Sequence, residues 1–386
     1  MARSGRTVFV DVNPLADRFL TGIGRYTARL ALALAGRPDC AVRFVSQDQE
    51  VIAPRGLDWS QDQDLGRWGR RVWRGRRVPL AGVEVPAESL AVYGCLREET
   101  RRFPFEVSVL HDFTTLVVPQ THAEKTRGVF SGFFARTLLS SDAAVAVSHS
   151  TKADALWLCD FPPERVVVAP SGPSLCVERH LHAAPAARRP EVGLVVSTIE
   201  PRKNAFFLLE WFRQSEALPE GSELWWVGPV GWLTSRRKLR RYQTMTGRRV
   251  RFLGVVPDKA LCRLYRTAGW SAYPSLYEGF GFPVLDALRH GTPVLSSYHS
   301  ALRELDHPGV HFFDPYDPAT VDDAWRALRA AGPSAVAPVA ALDALYNWDS
   351  VARTVLDLPG RRQETGNRKQ EDEGAAESGG RFLGAA

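Results

Sequence analysis

The chain has 386 residues, 45% hydrophobic and 24% charged, with a formal net charge of +6. That length is large for one core and predicts two domains. No apolar run reaches the roughly 18 residues of a bilayer span, and Met1-Ala2-Arg3-Ser4-Gly5-Arg6 runs into a strand too soon for a secretory signal, so a cytoplasmic protein is expected. Cys40, Cys95, Cys159, Cys176 and Cys262 are widely spaced, with no C-x-x-C or metal-ligand spacing. Reduced thiols are expected and zinc is not.

Short apolar runs alternate with amphipathic stretches, the rhythm of parallel βα units. Thr7–Val12 reads as the first strand, and Arg25–Leu34, with Tyr26, Leu30 and Leu34 on one face, as the helix after it. Strands are then predicted at Ala41–Val45, Val107–Leu110, Ala143–Val147 and Val166–Val168. Residues 178–191 lose the rhythm and read as a linker. It resumes with strands at Gly193–Ser197, Leu224–Gly228, Val250–Gly254, Trp270–Pro274, Pro293–Ser296 and Val310–Phe313, and a helix around Phe206–Phe212. The prediction is α/β: two doubly wound Rossmann-like domains facing across a cleft, with ligands at the carboxyl ends of the strands. Residues 361–386 are polar and charge-balanced, and are expected to be a disordered tail.

The stretch from Ala272 to Leu288 carries the strongest chemistry. A strand ends at Pro274, a loop bears Gly279 and Gly281, and Pro283 suits the first turn of a new helix. Backbone N–H groups there form an anion site that a phosphate can approach closely. Glu278 and Asp286 put two carboxylates beside it, poor partners for phosphate but good acceptors for sugar hydroxyls. Taken alone, such a pair reads equally as a surface acid and a helix-dipole acid.

In context, Pro274-Ser275-Leu276-Tyr277-Glu278-Gly279-Phe280-Gly281-Phe282-Pro283-Val284-Leu285-Asp286-Ala287 resembles the signature of glycosyltransferase family 4, retaining enzymes of the GT-B fold. The family pattern has Glu where this chain has Asp286. The resemblance implies that Glu278 contacts the transferred sugar. Gly279, Phe280 and Gly281 would cradle the donor, and the shortened Asp286 would reach the nucleotide ribose. Thr198-Ile199-Glu200-Pro201-Arg202-Lys203-Asn204 resembles the family's diphosphate loop, which gives the leaving group to Arg202 and Lys203. Thr21-Gly22-Ile23-Gly24-Arg25-Tyr26 resembles its N-terminal glycine loop, giving Gly22 and Gly24 a place near the donor. His111-Asp112 stands at a strand end where the family sets a histidine near the reaction centre.

The resemblance divides the chain into an N-terminal acceptor domain (1–177), the linker (178–191), a nucleotide-sugar donor domain (192–345) and a helix crossing back to the N-terminal domain (346–360). It implies retaining transfer of a hexose or deoxyhexose, with GDP-mannose among the donors, to a saccharide or lipid-linked acceptor of a surface polysaccharide. Without a well-placed D-x-D motif, no essential metal or other cofactor is expected. A sugar phosphorylase or epimerase on the same fold is the rival enzyme reading.

Residues 66–77 hold six Arg and two Trp. If helical, Arg67, Arg70, Arg71 and Arg74 share a face, which suits anionic lipid, and a peripheral position at a membrane's inner face is one expectation. A solvated face is the other. A basic nucleic-acid-binding protein is the non-enzymatic alternative, and two αβ domains with a donor loop argue against it, so no nucleic-acid partner is expected.

Overall fold

The computed structural model describes residues 5–17, 19–60, 64–95, 97, 100–131, 133–175, 187–246, 249–332 and 335–361. Most of the expected linker, the expected tail beyond Arg361, and Cys176 lie outside them.

Two sheets organise the chain. The first joins β1 (Arg6–Asp11), β2 (Cys40–Ser46), β3 (Gln49–Ile52), β4 (Arg76–Pro79), β5 (Leu90–Tyr93), β6 (Phe105–Leu110), β7 (Ala143–Ala146) and β8 (Val166–Val168) in the order β4-β3-β2-β1-β5-β6-β7-β8. Its central pairings are parallel, and β3 and β4 add an antiparallel edge. The second joins β9 (Arg189–Val196), β10 (Glu223–Val227), β11 (Arg249–Gly254), β12 (Ala268–Tyr273), β13 (Val294–Ser297) and β14 (Val310–Phe313) in the order β11-β10-β9-β12-β13-β14, parallel throughout. These are two doubly wound domains, as the sequence rhythm predicts. Strands β5 and β7 are buried along their whole length, the burial expected where helices cover both faces. Leu224, Trp226, Trp270 and Leu295 are 0–1% exposed in the second core. Each such side chain contributes about 1.5–3 kcal/mol by leaving water.

Three local differences from the sequence reading have clear causes. Strand β9 starts at Arg189, inside the expected linker, because Arg189 pairs with Ala268 of β12 and its guanidinium reaches Glu223 at 2.9 Å. The first helix starts at Gly22 rather than Arg25, since the Thr21 hydroxyl caps it by accepting from the Gly24 amide. The Arg-rich segment is not one element. Leu65–Trp73 is helical with Arg67, Arg70 and Arg71 exposed on it, Arg74 is its exposed C-cap, and Arg76 and Arg77 then enter edge strand β4.

The last helix, residues 348–361, does return to the first domain. Trp348 donates its indole N–H to the Pro173 carbonyl at 2.9 Å, and Arg6 of β1 donates to the Leu356 carbonyl at 2.6 Å. Among the described residues, no helix is long and apolar enough to cross a membrane.

Candidate active site

The carboxyl ends of both sheets open onto one cleft of about 620 Å³. From the second domain come the Pro201–Lys203 turn after β9 and the loop from β12 into the Phe282–Arg289 helix. Gly281 precedes that helix at φ +113°, a left-handed conformation that favours glycine, and no side chain caps the helix start. Pro283 has no N–H and the Val284 and Leu285 amides donate to the Gly281 carbonyl at 3.0 and 3.4 Å, so the amides that a ligand can meet here are those of the Gly279–Phe282 loop.

Glu278, Arg202 and Lys203 meet in this cleft. Arg202 Nη1 lies 2.8 Å from Glu278 Oε2, and the Lys203 ammonium donates to Glu278 Oε1 and, at 3.0 Å, to the Tyr273 hydroxyl. Arg202 also reaches Glu200 at 3.1 Å. Glu278 is 7% exposed and Lys203 9%. Burial alone would raise the Glu278 carboxyl, but Arg202 and Lys203 outweigh it and hold it at about 2. Burial, aided by the Arg202 charge, lowers the Lys203 ammonium. The result is a desolvated anion between two desolvated cations. A diphosphate can compete for the cations and sugar hydroxyls for the carboxylate.

The first domain supplies the opposite wall. His111, at the end of β6, directs Nε2 to the Gly94 carbonyl at 2.8 Å, so that nitrogen carries the proton. Burial lowers the imidazole below its ordinary value, leaving it neutral with Nδ1 as a lone-pair acceptor. Gly22 lines the cleft and faces the Phe282 ring across it. Gly24 does not line it. Its missing side chain instead lets the first helical turn sit against the Pro14 carbonyl.

Asp286 is 3% exposed and lies at the cleft, yet its carboxylate already has three donors from the first domain's last described segment. Oδ1 accepts from the Ser174 and Leu175 amides at 3.2 and 3.3 Å, and Oδ2 from the Ser174 hydroxyl at 2.5 Å. The group expected to reach ribose is held by the Ser174–Leu175 peptide of the first domain.

Four further contacts across the cleft escaped sequence reasoning. Tyr277 donates to Asp154 at 2.9 Å. The Thr151 hydroxyl bridges the His111 and Gly279 carbonyls at 3.2 Å each. Glu304 accepts from the His149 and Ser150 amides at 2.9 and 2.7 Å, capping the His149–Cys159 helix from the other domain. Trp232 lines the cleft and donates to the Thr121 carbonyl at 3.0 Å. Tyr277 lies inside the signature stretch quoted above, but nothing in the local sequence pairs it with Asp154. Arg67, Arg70, Arg71 and Arg74 do not line the cleft. Among the described residues, no cluster of three His, Cys, Asp or Glu side chains could hold a metal.

Residues 178–331 match the family described as Glycosyl transferases group 1. The chain is 27% identical to the O-antigen chain mannosyltransferase B of Escherichia coli, over 81% of this chain and 90% of that protein. Its fold matches sucrose-phosphate synthase from Thermosynechococcus elongatus with a TM-score of 0.62 at 17% identity, covering 96% of this chain and 100% of the other. It matches Anabaena HepE in complex with UDP and glucose equally well, with a TM-score of 0.62 at 15% identity, covering 92% and 99%. Fold, donor-side sequence and relatives converge: the chain is a glycosyltransferase with the GT-B fold, and its second domain carries the group 1 glycosyl transferase match.

Proposed function

We propose that the chain transfers mannose from GDP-mannose, with retention at the anomeric carbon, to a saccharide or lipid-linked acceptor in surface polysaccharide synthesis. The observation that carries this reading is Glu278 buried between Arg202 and Lys203 under an uncapped helix start. The mannosyltransferase named among its relatives supports the choice of sugar.

In this reading the diphosphate displaces Glu278 from part of its contact with Arg202 and Lys203 and lies against the Gly279–Gly281 amides. Glu278, freed on one side, accepts from hydroxyls of the sugar. The acceptor oxygen bonds to the anomeric carbon on the face that the phosphate oxygen leaves, and its proton passes to that phosphate oxygen. Lys203, Arg202 and the loop amides stabilise the diphosphate charge as it grows, so no metal is needed. His111, neutral and fixed by Gly94, orients a hydroxyl near the reacting carbon. Arg67, Arg70, Arg71 and Arg74, exposed away from the cleft, would rest on an anionic membrane surface bearing the acceptor.

The test incubates the protein with GDP-mannose and a mannosylated acceptor and follows released GDP together with the elongated product. GDP release without elongation, or sugar 1-phosphate formed from product and phosphate, would replace transfer with hydrolysis or phosphorolysis.

A further inference from the structure

The resemblance gives position 286 to the nucleotide ribose, but the contacts of this chain's aspartate suggest a different task. Its two oxygens already accept three hydrogen bonds from Ser174 and Leu175. A carboxylate offers about four acceptor sites, so little capacity remains for two ribose hydroxyls. Being one methylene shorter than glutamate also keeps the group near its own helix.

The peptide it holds is fixed from other sides too. The Ser174 carbonyl accepts from Arg29 of the Gly22–Ala35 helix at 3.5 Å, and the preceding Pro173 carbonyl accepts from Trp348. A Cβ at Gly172 would overlap the Trp348 ring, so this stretch is pressed flat against it. Asp286 is therefore tied through Ser174 to the helix whose first residue, Gly22, faces Phe282 across the cleft. That helix start and the donor loop are the two walls a diphosphate must touch together.

We infer that Asp286 is a positioning residue that latches the Ser174–Leu175 peptide of the first domain onto the second, setting the spacing between the Gly22 helix start and the donor loop, and that it does not hold the ribose. Burial raises its carboxyl above the ordinary value, and the hydrogen bond from Ser174 opposes that rise. The inference rests on the donor-site reading above, and one of its tests needs no donor.

Asp286→Asn and Ser174→Ala are prepared in the full chain, with circular dichroism and thermal unfolding as folding controls. Ser174→Ala removes one hydroxyl and keeps the question open should Asp286→Asn fail to fold. In ligand-free small-angle scattering, both variants are expected to show a larger radius of gyration than the wild type, and unchanged radii overturn the latch. In calorimetry, GDP and its 2′,3′-dideoxy analogue are compared. The latch predicts that Asp286→Asn keeps the wild-type ratio between the two ligands, with GDP affinity within about threefold, while both variants lose at least tenfold in kcat. A tenfold loss of GDP affinity confined to Asp286→Asn, with the ribose preference abolished, returns the residue to the ribose and overturns the inference. A wild type that binds neither GDP, UDP, ADP nor dTDP sinks the donor reading instead, and scattering still decides the latch.

Discussion

Arg25 of the first domain and Asp258 of the second form a two-point ion pair across the cleft, at 2.5 and 3.1 Å. Both side chains are only about a fifth exposed, at 21% and 23%, so the cost of desolvating the two charges offsets most of their attraction and leaves a small net contribution to global stability. Its larger effect should be on alignment, because a small misplacement of reacting groups costs up to about a hundredfold in rate. Asp258→Asn is expected to lower kcat/KM about tenfold or more with little change in unfolding temperature. The exchanged pair, Arg25→Asp with Asp258→Arg, should recover much of that loss. An exchange no better than the sum of its single variants would contradict the alignment role.

Removing the charges at the proposed diphosphate site should stop the chemistry without unfolding the chain. Glu278→Ala and Lys203→Ala are each expected to lower kcat by about 10²–10³, the cost of deleting one preorganised electrostatic group. Lys203→Ala should also weaken nucleoside diphosphate binding in calorimetry, and Glu278→Ala should not. Full turnover in either variant would remove the site.

Glu278 also makes a specific pH prediction. Its folded value of about 2 lies below the ordinary 4.5. The unfolded chain thus binds the proton more readily between those values. The carboxylate's contribution is complete above pH 4.5 and is lost as pH falls through 2. The full gap corresponds to about 3 kcal/mol. Urea unfolding of wild type and Glu278→Gln should show a constant difference from pH 5 to 7 and a shrinking one from pH 4.5 downward. A difference that grows on acidification would reverse the sign and refute the ion-pair account.

Gly279 is required by space. A Cβ there would overlap the His111 carbonyl oxygen of the opposite domain. Neither backbone can yield as a flexible side chain would, so Gly279→Ala should hold the domains apart. Turnover is expected to fall at least a hundredfold while nucleoside diphosphate still binds the second domain, and the radius of gyration should rise. A variant as compact and active as the wild type would show that the contact is not needed.

The sequence was most informative where periodicity and local chemistry act over a few residues. Val166–Val168 and Val310–Phe313 are strands with the predicted bounds, and the loop around Glu278 lies at a sheet's carboxyl end as its pattern requires. Leu90–Tyr93 was missed because four apolar residues do not distinguish a strand from any other buried segment. The Arg236–Met245 helix has no apolar face to read, because five of its ten residues are basic and only Leu239 is buried. Arg76–Pro79 is an edge strand whose neighbour β3 was not itself recognised. In the site, Glu278, Arg202 and Lys203 were legible as motif residues. Asp154 against Tyr277, and Asp286 against Ser174, join positions more than 100 residues apart, and no local pattern encodes such a meeting.

The most direct test of the central claim is product analysis of one reaction. The protein is incubated with GDP-mannose, whose sugar is α-linked, and a mannosylated acceptor in buffer containing EDTA, and the new linkage is read by nuclear magnetic resonance. The account predicts GDP and α-mannosylated product in equal amounts, at a rate unchanged by EDTA. A β-linked product would contradict retention. Absence of transfer from GDP-mannose beside ready transfer from another nucleotide sugar would contradict the proposed donor.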